Sequence, residues 1–128
     1  MLFRSADPED VRKRITERTC AIVVTHVYGN PSDMDWFLDV VKGTGIKLIE
    51  DASHAHGATW GRKMVGSVGH IGCFSLQGSK AVTGLEAGIA TTNDDDLYDR
   101  MMALGQYGRC QALWKTERFK AQIGRAHV

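Results

Sequence analysis

The sequence predicts an α/β fold, a mostly parallel sheet flanked by helices. Two observations carry that expectation. Short apolar, β-branched runs alternate along the chain with segments of helical spacing. The first such run, CAIVVTH (Cys20–His26), is almost continuously apolar, as expected of a strand covered on both faces.

Each element follows from its residues. DPEDVRKRITER opens with Asp7 as N-cap, Pro8 at the first helical position and acids in the first turn, with Val11 and Ile15 on its inner face. After the Cys20–His26 strand, YGNPSDMD is turn chemistry, and Ser32 with Asp35 has the spacing of a capping box. The helix behind it places Met34, Phe37 and Val41 on one face and ends at KGTG (Lys42–Gly45). Further strands are expected at Ile46–Asp51, Ile71–Leu76 and Gly88–Thr92, with a glycine-rich passage before the second of these. Asn93 is then expected to cap a helix over Asp94–Gln106, with Leu97, Met101 and Leu104 at helical spacing.

Composition narrows the function. The chain has 128 residues, enough for one domain with its own core, and 43% hydrophobic against 24% charged residues is the profile of a soluble globular protein. A net charge of +1 offers no footprint for nucleic acid or an anionic membrane surface, and no apolar run reaches membrane-spanning length. The start, MLFRSADPED, lacks the apolar stretch of a secretory signal. Cys20, Cys73 and Cys110 are far apart with no CxxC, so reduced and mostly buried thiols in a cytoplasmic protein are expected. Trp36, Phe37 and the methionines read as core.

In open α/β sheets, ligands gather at the carboxyl ends of the strands. That places Asp51 at one strand end, and Ser75 and Lys80 at or just past another. Singly, Lys80 would be a surface lysine, Asp51 a cap for the next segment and Ser75 a hydroxyl bonded to backbone. Together and in order they bring an amine, a carboxylate and a hydroxyl to one edge. DASHAH also offers Asp51, His54 and His56 as metal ligands, but no further cluster accompanies them and His26, His70 and His127 are scattered. His56 reads as a packed structural histidine. The glycines at 57, 61, 66, 69 and 72 make no GxGxxG fingerprint.

Taken together, EDASHAHGA, GSVGHIGCFSLQGSK and the EAG…TTND segment resemble the DegT/StrS family of pyridoxal 5'-phosphate (PLP)-dependent aminotransferases, which act on keto sugars and keto cyclitols. The segment AIVVTHVYGNPSDMD is similar to the strand–turn–helix that precedes the family's Asp motif, and the resemblance runs from about Asp7 to Gly108. It implies part of the large PLP-binding domain of aspartate-aminotransferase-like (fold type I) enzymes. Lys80 would carry the cofactor through its aldehyde carbon and then move the proton between substrate and cofactor carbons, which calls for a neutral amine in a partly desolvated pocket. Asp51 would bind the pyridine nitrogen and keep it protonated. Ser75 would bond the cofactor phosphate, His54 would sit beside the cofactor ring, and Gln77 would contribute to substrate choice. Gly78, Ser79 and Ala81 are small enough for a planar group to reach Lys80 closely. Glu86 matches an acidic position ahead of the next strand, where the family usually reads acid–Gly–Gly; Ala87 replaces a glycine there and is expected to be strained if its φ is positive.

The resemblance also bounds the organisation. Residues 1–122 would be a partial large domain, without the N-terminal segment and C-terminal small domain that family members carry. IGRAHV (Ile123–Val128) matches what a sequencing-library adapter encodes in one frame and is expected to be an artefact. The parent protein would be a homodimeric cytoplasmic enzyme that passes an amino group from glutamate or glutamine to a keto sugar or keto cyclitol. A non-catalytic piece of the same fold, with only an assembly or interaction role, is the alternative. A metal hydrolase is a distant third. Lys80 separates the aminotransferases from the family's dehydratase-like branch, which replaces this lysine.

Overall fold

A computed structural model describes residues 6–105. Helix α1 (Pro8–Arg14) is capped as expected: the Asp7 carboxylate accepts from the amides of Glu9 and Asp10. Helix α2 (Met34–Val41) is capped one residue later than the sequence suggests. Asp33 accepts from the Trp36 amide at 3.2 Å, while the Ser32 hydroxyl is turned back to donate to the Thr25 carbonyl at 3.0 Å. Met34, Phe37 and Val41 are buried on one face of α2, as their spacing requires. The Arg12 guanidinium lies 5.6 Å from the Trp36 ring centre and ties α1 to α2.

The strands are β1 (Ala21–Thr25), β2 (Lys47–Asp51), β3 (Thr59–Trp60), β4 (Lys63–Met64), β5 (Ile71–Ser75) and β6 (Gly88–Thr91). Four of them form one sheet in the order β1-β2-β5-β6, with β1, β2 and β5 parallel and β6 antiparallel to β5. The first three thus meet the expectation of a parallel sheet. β3 and β4 form a separate antiparallel hairpin in the glycine-rich passage, where no strand is expected from the sequence.

The core lies on one side of this sheet. Ile22 and Val24 of β1 and Leu48 of β2 face Met34, Phe37 and Val41, with Ile46 and Val68 completing the cluster and Val11 and Ile15 at its margin. Each fully buried aliphatic or aromatic side chain contributes roughly 1.5–3 kcal/mol. A smaller cluster joins Ala52, Ala55 and Val65 to Ala58 and Phe74. The other face is open among the described residues: Val23 is 59% exposed. The expectation that β1 is covered on both faces is therefore not met. Cys20 is exposed and Cys73 half-buried, so the first departs from the expected buried thiol, while Cys110 lies outside the described residues. Met64 is exposed rather than core.

Residues up to Thr91 belong to one compact unit, and α3 (Asp95–Gly105) belongs to a second. The α3 amides of Asp96 and Leu97 donate to Asp94, which makes Asp94 the cap in place of Asn93. Leu97 and Met101 are half-buried, but Leu104 is 91% exposed and does not extend their face. Gln106 and the segment 123–128 lie outside the described residues. Among the described residues no helix is long and apolar enough to cross a membrane.

One buried polar cluster anchors the loops. Glu50 is fully buried and accepts from four groups: His26 Nε2 at 3.0 Å, Gly66 N at 2.8 Å, Val68 N at 2.8 Å and Gly69 N at 2.6 Å. His26 Nδ1 accepts from the Ser32 amide at 3.1 Å, so the ring proton sits on Nε2 and the imidazole is neutral. Gly69 has no room for a side chain, since a Cβ there would lie 2.9 Å from the Leu48 carbonyl oxygen. Burial alone would push the Glu50 carboxyl up, but the His26 hydrogen bond and the three amides outweigh it and hold it below the usual carboxylate range. A group depressed on folding stabilises the fold above its ordinary value of 4.5 and loses that contribution as pH falls through the folded value. The Glu50 contribution to thermal stability should therefore be full and independent of pH near neutrality, and decline as the solution is acidified below that value. A melting temperature that stays flat through strong acid would contradict this.

Candidate active site

Three chain segments converge past the carboxyl edge of the sheet. β1 runs into a tight turn at Val27–Gly29, β2 ends at Asp51 and continues to His54, and β5 ends at Ser75 and continues to Lys80. They enclose an open pocket of about 270 Å³ lined by Tyr28, Ser53, His54, His56, Ser79 and Lys80. Of the expected site residues, Lys80 and His54 line this pocket directly. Asp51 and Ser75 end neighbouring strands on the open face of the sheet, because Asp51 pairs with Cys73 and side chains alternate along a strand.

Asp51 is held at both oxygens. Oδ1 accepts from the Ser53 amide at 3.1 Å and Oδ2 from Thr25 Oγ1 at 3.4 Å. Its carbonyl accepts from His26 N at 3.0 Å, and Ala52 N donates to Cys73 O at 2.8 Å, so its backbone is fixed on both sides. Partial burial would push the carboxyl up, but Ser53, Thr25 and nearby His54 hold it below the usual carboxylate range. Asp51 is thus an anion at neutral pH. The facing Cys73 thiol is pushed up by burial and by the Asp51 charge, and an un-ionised thiol is a poor nucleophile.

Lys80 closes a turn whose amide donates to the Gln77 carbonyl at 2.9 Å. The Gln77 side chain organises the same turn: its Oε1 accepts from Ser79 N at 3.0 Å and from Ser79 Oγ at 2.6 Å. Ser75 Oγ accepts from Gln77 N at 3.4 Å. Lys80 is half-buried, and its amine has no hydrogen-bond or ion-pair partner among the described residues. A Cβ built at Gly78 meets nothing within 4 Å, which leaves open space on that side of the turn.

Glu86 is exposed, and the positive φ expected at Ala87 falls on Leu85 instead (φ 67°). The cause is local pairing. Ala87 O accepts from Leu76 N at 2.9 Å, and the reversal occurs two residues before it. His56 packs against Phe74, with ring centres 5.5 Å apart, and also lines the pocket; its Nε2 is buried without a hydrogen-bond partner among the described residues.

Sequence reasoning missed Tyr28 and Ser53. Tyr28 stands at φ 53°, its ring 82% exposed and within 15° of parallel to the His54 ring, with centres 6.0 Å apart. The neighbouring Gly29 has φ 80°, and a Cβ there would lie 2.9 Å from the His54 carbonyl oxygen. The available signal was the aromatic–glycine pair directly after a strand, at the edge where ligands collect.

The described residues form a mostly parallel α/β sheet with Asp51 at the carboxyl end of β2 and a pocket past that edge lined by Lys80 and His54. The chain belongs to the DegT/DnrJ/EryC1/StrS aminotransferase family, whose sequence model matches residues 4–125. It is 45% identical over 103 residues to the L-glutamine:scyllo-inosose aminotransferase of Streptomyces griseus, covering 80% of this chain and 24% of that protein. The structure resembles that of an aminotransferase from Psychrobacter cryohalolentis, with TM-score 0.78, 36% identity, and coverage of 88% of this chain and 29% of that one. It also resembles an E. coli GDP-4-keto-6-deoxy-D-mannose-3-dehydratase with bound hydrated PLP, with TM-score 0.75, 29% identity, and coverage of 85% and 28%. The fold is therefore that of part of the large domain of PLP-dependent fold type I enzymes, and PLP is the family's cofactor. The chain spans about a quarter of the length of the relatives it matches.

Proposed function

We propose that the complete protein is a homodimeric cytoplasmic aminotransferase that moves an amino group from glutamine or glutamate to a keto cyclitol or a nucleotide-linked keto sugar. The observation that carries this reading is the convergence of Lys80 and His54 on one pocket beside the anionic Asp51. Relatives named for L-glutamine and scyllo-inosose, and for a GDP-linked keto sugar, support the two substrate classes. Residues 1–122 are assigned to a partial large domain. For this stretch alone, the open sheet face favours the second reading, a piece with an assembly role.

The residues present fit PLP: an amine without a partner, open space beside Gly78 and a fixed carboxylate. When bound, PLP supplies an aldehyde carbon and an electron-withdrawing ring. Lys80 Nζ would hold that carbon and, when free of it, would take and return a proton at the substrate carbon. Asp51 would accept the pyridine N–H and keep the ring nitrogen protonated. His54 would pack beside the ring, Ser75 Oγ would donate to the phosphate, and Gln77, which organises the Lys80 turn, would face the substrate side.

Asp51→Asn tests the assignment in the complete enzyme. The amide keeps the size of the side chain but not its charge, so the variant should retain some cofactor and lose turnover on the order of a hundredfold, about 2.7 kcal/mol of barrier. An Asp51→Asn enzyme that turns over at the parent rate would remove Asp51 from the site.

A further inference from the structure

Tyr28 takes a conformation with a cost. A non-glycine residue in the left-handed region stores on the order of 1 kcal/mol or more, and such residues cluster at ligand sites. Its neighbour cannot be anything larger than glycine without meeting the His54 carbonyl. Yet the ring so positioned is not used to fill the core: it is 82% exposed. One side faces His54 at a centroid separation of 6.0 Å, too long for full overlap, so the two nearly parallel rings form a stepped shelf. That shelf borders the pocket that Lys80 lines, and Ser53, Ser79 and His56 add hydroxyl and imidazole groups around it. An apolar flat face ringed by short polar groups suits a saturated polyol ring, which presents C–H bonds on its faces and hydroxyls at its rim.

We propose that Tyr28 is a specificity-determining residue that stacks against the ring of the amino-group acceptor. The inference rests on the aminotransferase reading above and refines it. His54 takes the cofactor side of the shelf, and the Tyr28 ring extends it toward the acceptor. The amino donor, an open-chain amino acid, has no ring to place there. Tyr28 therefore discriminates between the two halves of the reaction.

The test separates those halves in the holoenzyme. Tyr28→Asn tolerates the left-handed backbone and removes the ring, while Tyr28→Phe restores a ring without the hydroxyl. Amino transfer from L-glutamine is followed in single turnovers by the cofactor's absorbance, and transfer onward to scyllo-inosose is followed separately over a range of concentrations. Tyr28→Asn should raise the KM for scyllo-inosose about tenfold, the factor given by roughly 1.4 kcal/mol of lost contact, and leave the glutamine half unchanged. Tyr28→Phe should recover most of that loss. Equal damage to both halves would show that Tyr28 acts on His54 or the cofactor, and would overturn the proposal. So would an unaltered KM. Repeating the acceptor half with GDP-4-keto-6-deoxymannose covers the second substrate class, and the proposal requires the rise with whichever acceptor the parent uses. If the parent protein takes no amino group from glutamine or glutamate, the aminotransferase reading itself fails, a result distinct from any Tyr28 effect.

Discussion

Replacing Lys80 by alanine in the complete enzyme leaves no measurable transamination and no cofactor that borohydride can fix to the chain. The two readouts report one group. In the proposed function Nζ both attaches the cofactor and carries the proton, so removing it takes away nucleophilic and acid–base catalysis together, a loss of at least about 10⁴-fold. Folding should be spared, because Lys80 is half-buried and its amine makes no hydrogen bond or ion pair among the described residues. Mass analysis of the borohydride-treated parent should find the reduced cofactor on the peptide that spans Lys80. Full transamination by Lys80→Ala would sink the assignment, as would a label on any other lysine.

Glu50→Ala gives the second large effect, and it concerns the fold rather than the chemistry. The substitution strands the buried amides of Gly66 and Val68, the adjoining Gly69 amide, and the Nε2–H of His26. Each unmet buried donor costs about 1–3 kcal/mol, and several are stranded at once. Against a typical total of roughly 5–15 kcal/mol, that is enough to open this part of the domain. Hydrogen exchange should show the Gly66, Val68 and Gly69 amides losing protection in Glu50→Ala before the amides of β1 do. Unchanged protection at those three would mean that another acceptor replaces the carboxylate.

The parts of the fold legible in the sequence are those with local causes. Met34, Phe37 and Val41 recur at helical spacing, and Asp7 with Pro8 is a local start signal, so both helices could be placed. The sequence puts the caps of α2 and α3 one residue early, since Ser32 and Asn93 are residue types as competent to cap as Asp33 and Asp94. The direction of β6 was legible in principle. No helical segment separates Ser75 from Gly88, and a parallel return normally needs one. The β3–β4 hairpin has two-residue strands, too short to display alternation. An apolar run cannot say whether its second face is covered, which is why β1 was expected to be buried twice.

The candidate site divides the same way. The Asp51, Ser75 and Lys80 positions came from a motif at fixed spacing, whereas the Glu50–His26 pair joins residues 24 apart in sequence and becomes visible only once β1 and β2 lie side by side. Tyr28 needed a backbone angle, which no residue type announces.

Glu50 and Asp51 are neighbours that point to opposite faces of β2, one into a nest of amides and the other toward the cofactor edge. A strand slipped by one position would exchange them. Aspartate is a methylene too short to span the amides and the imidazole that glutamate reaches, so the slipped chain would bury donors with nothing to receive them. The pairing error that would turn Asp51 toward the core is thus one the folded state resists. The buried Glu50 carboxylate thereby guards the register that presents Asp51 at the strand end.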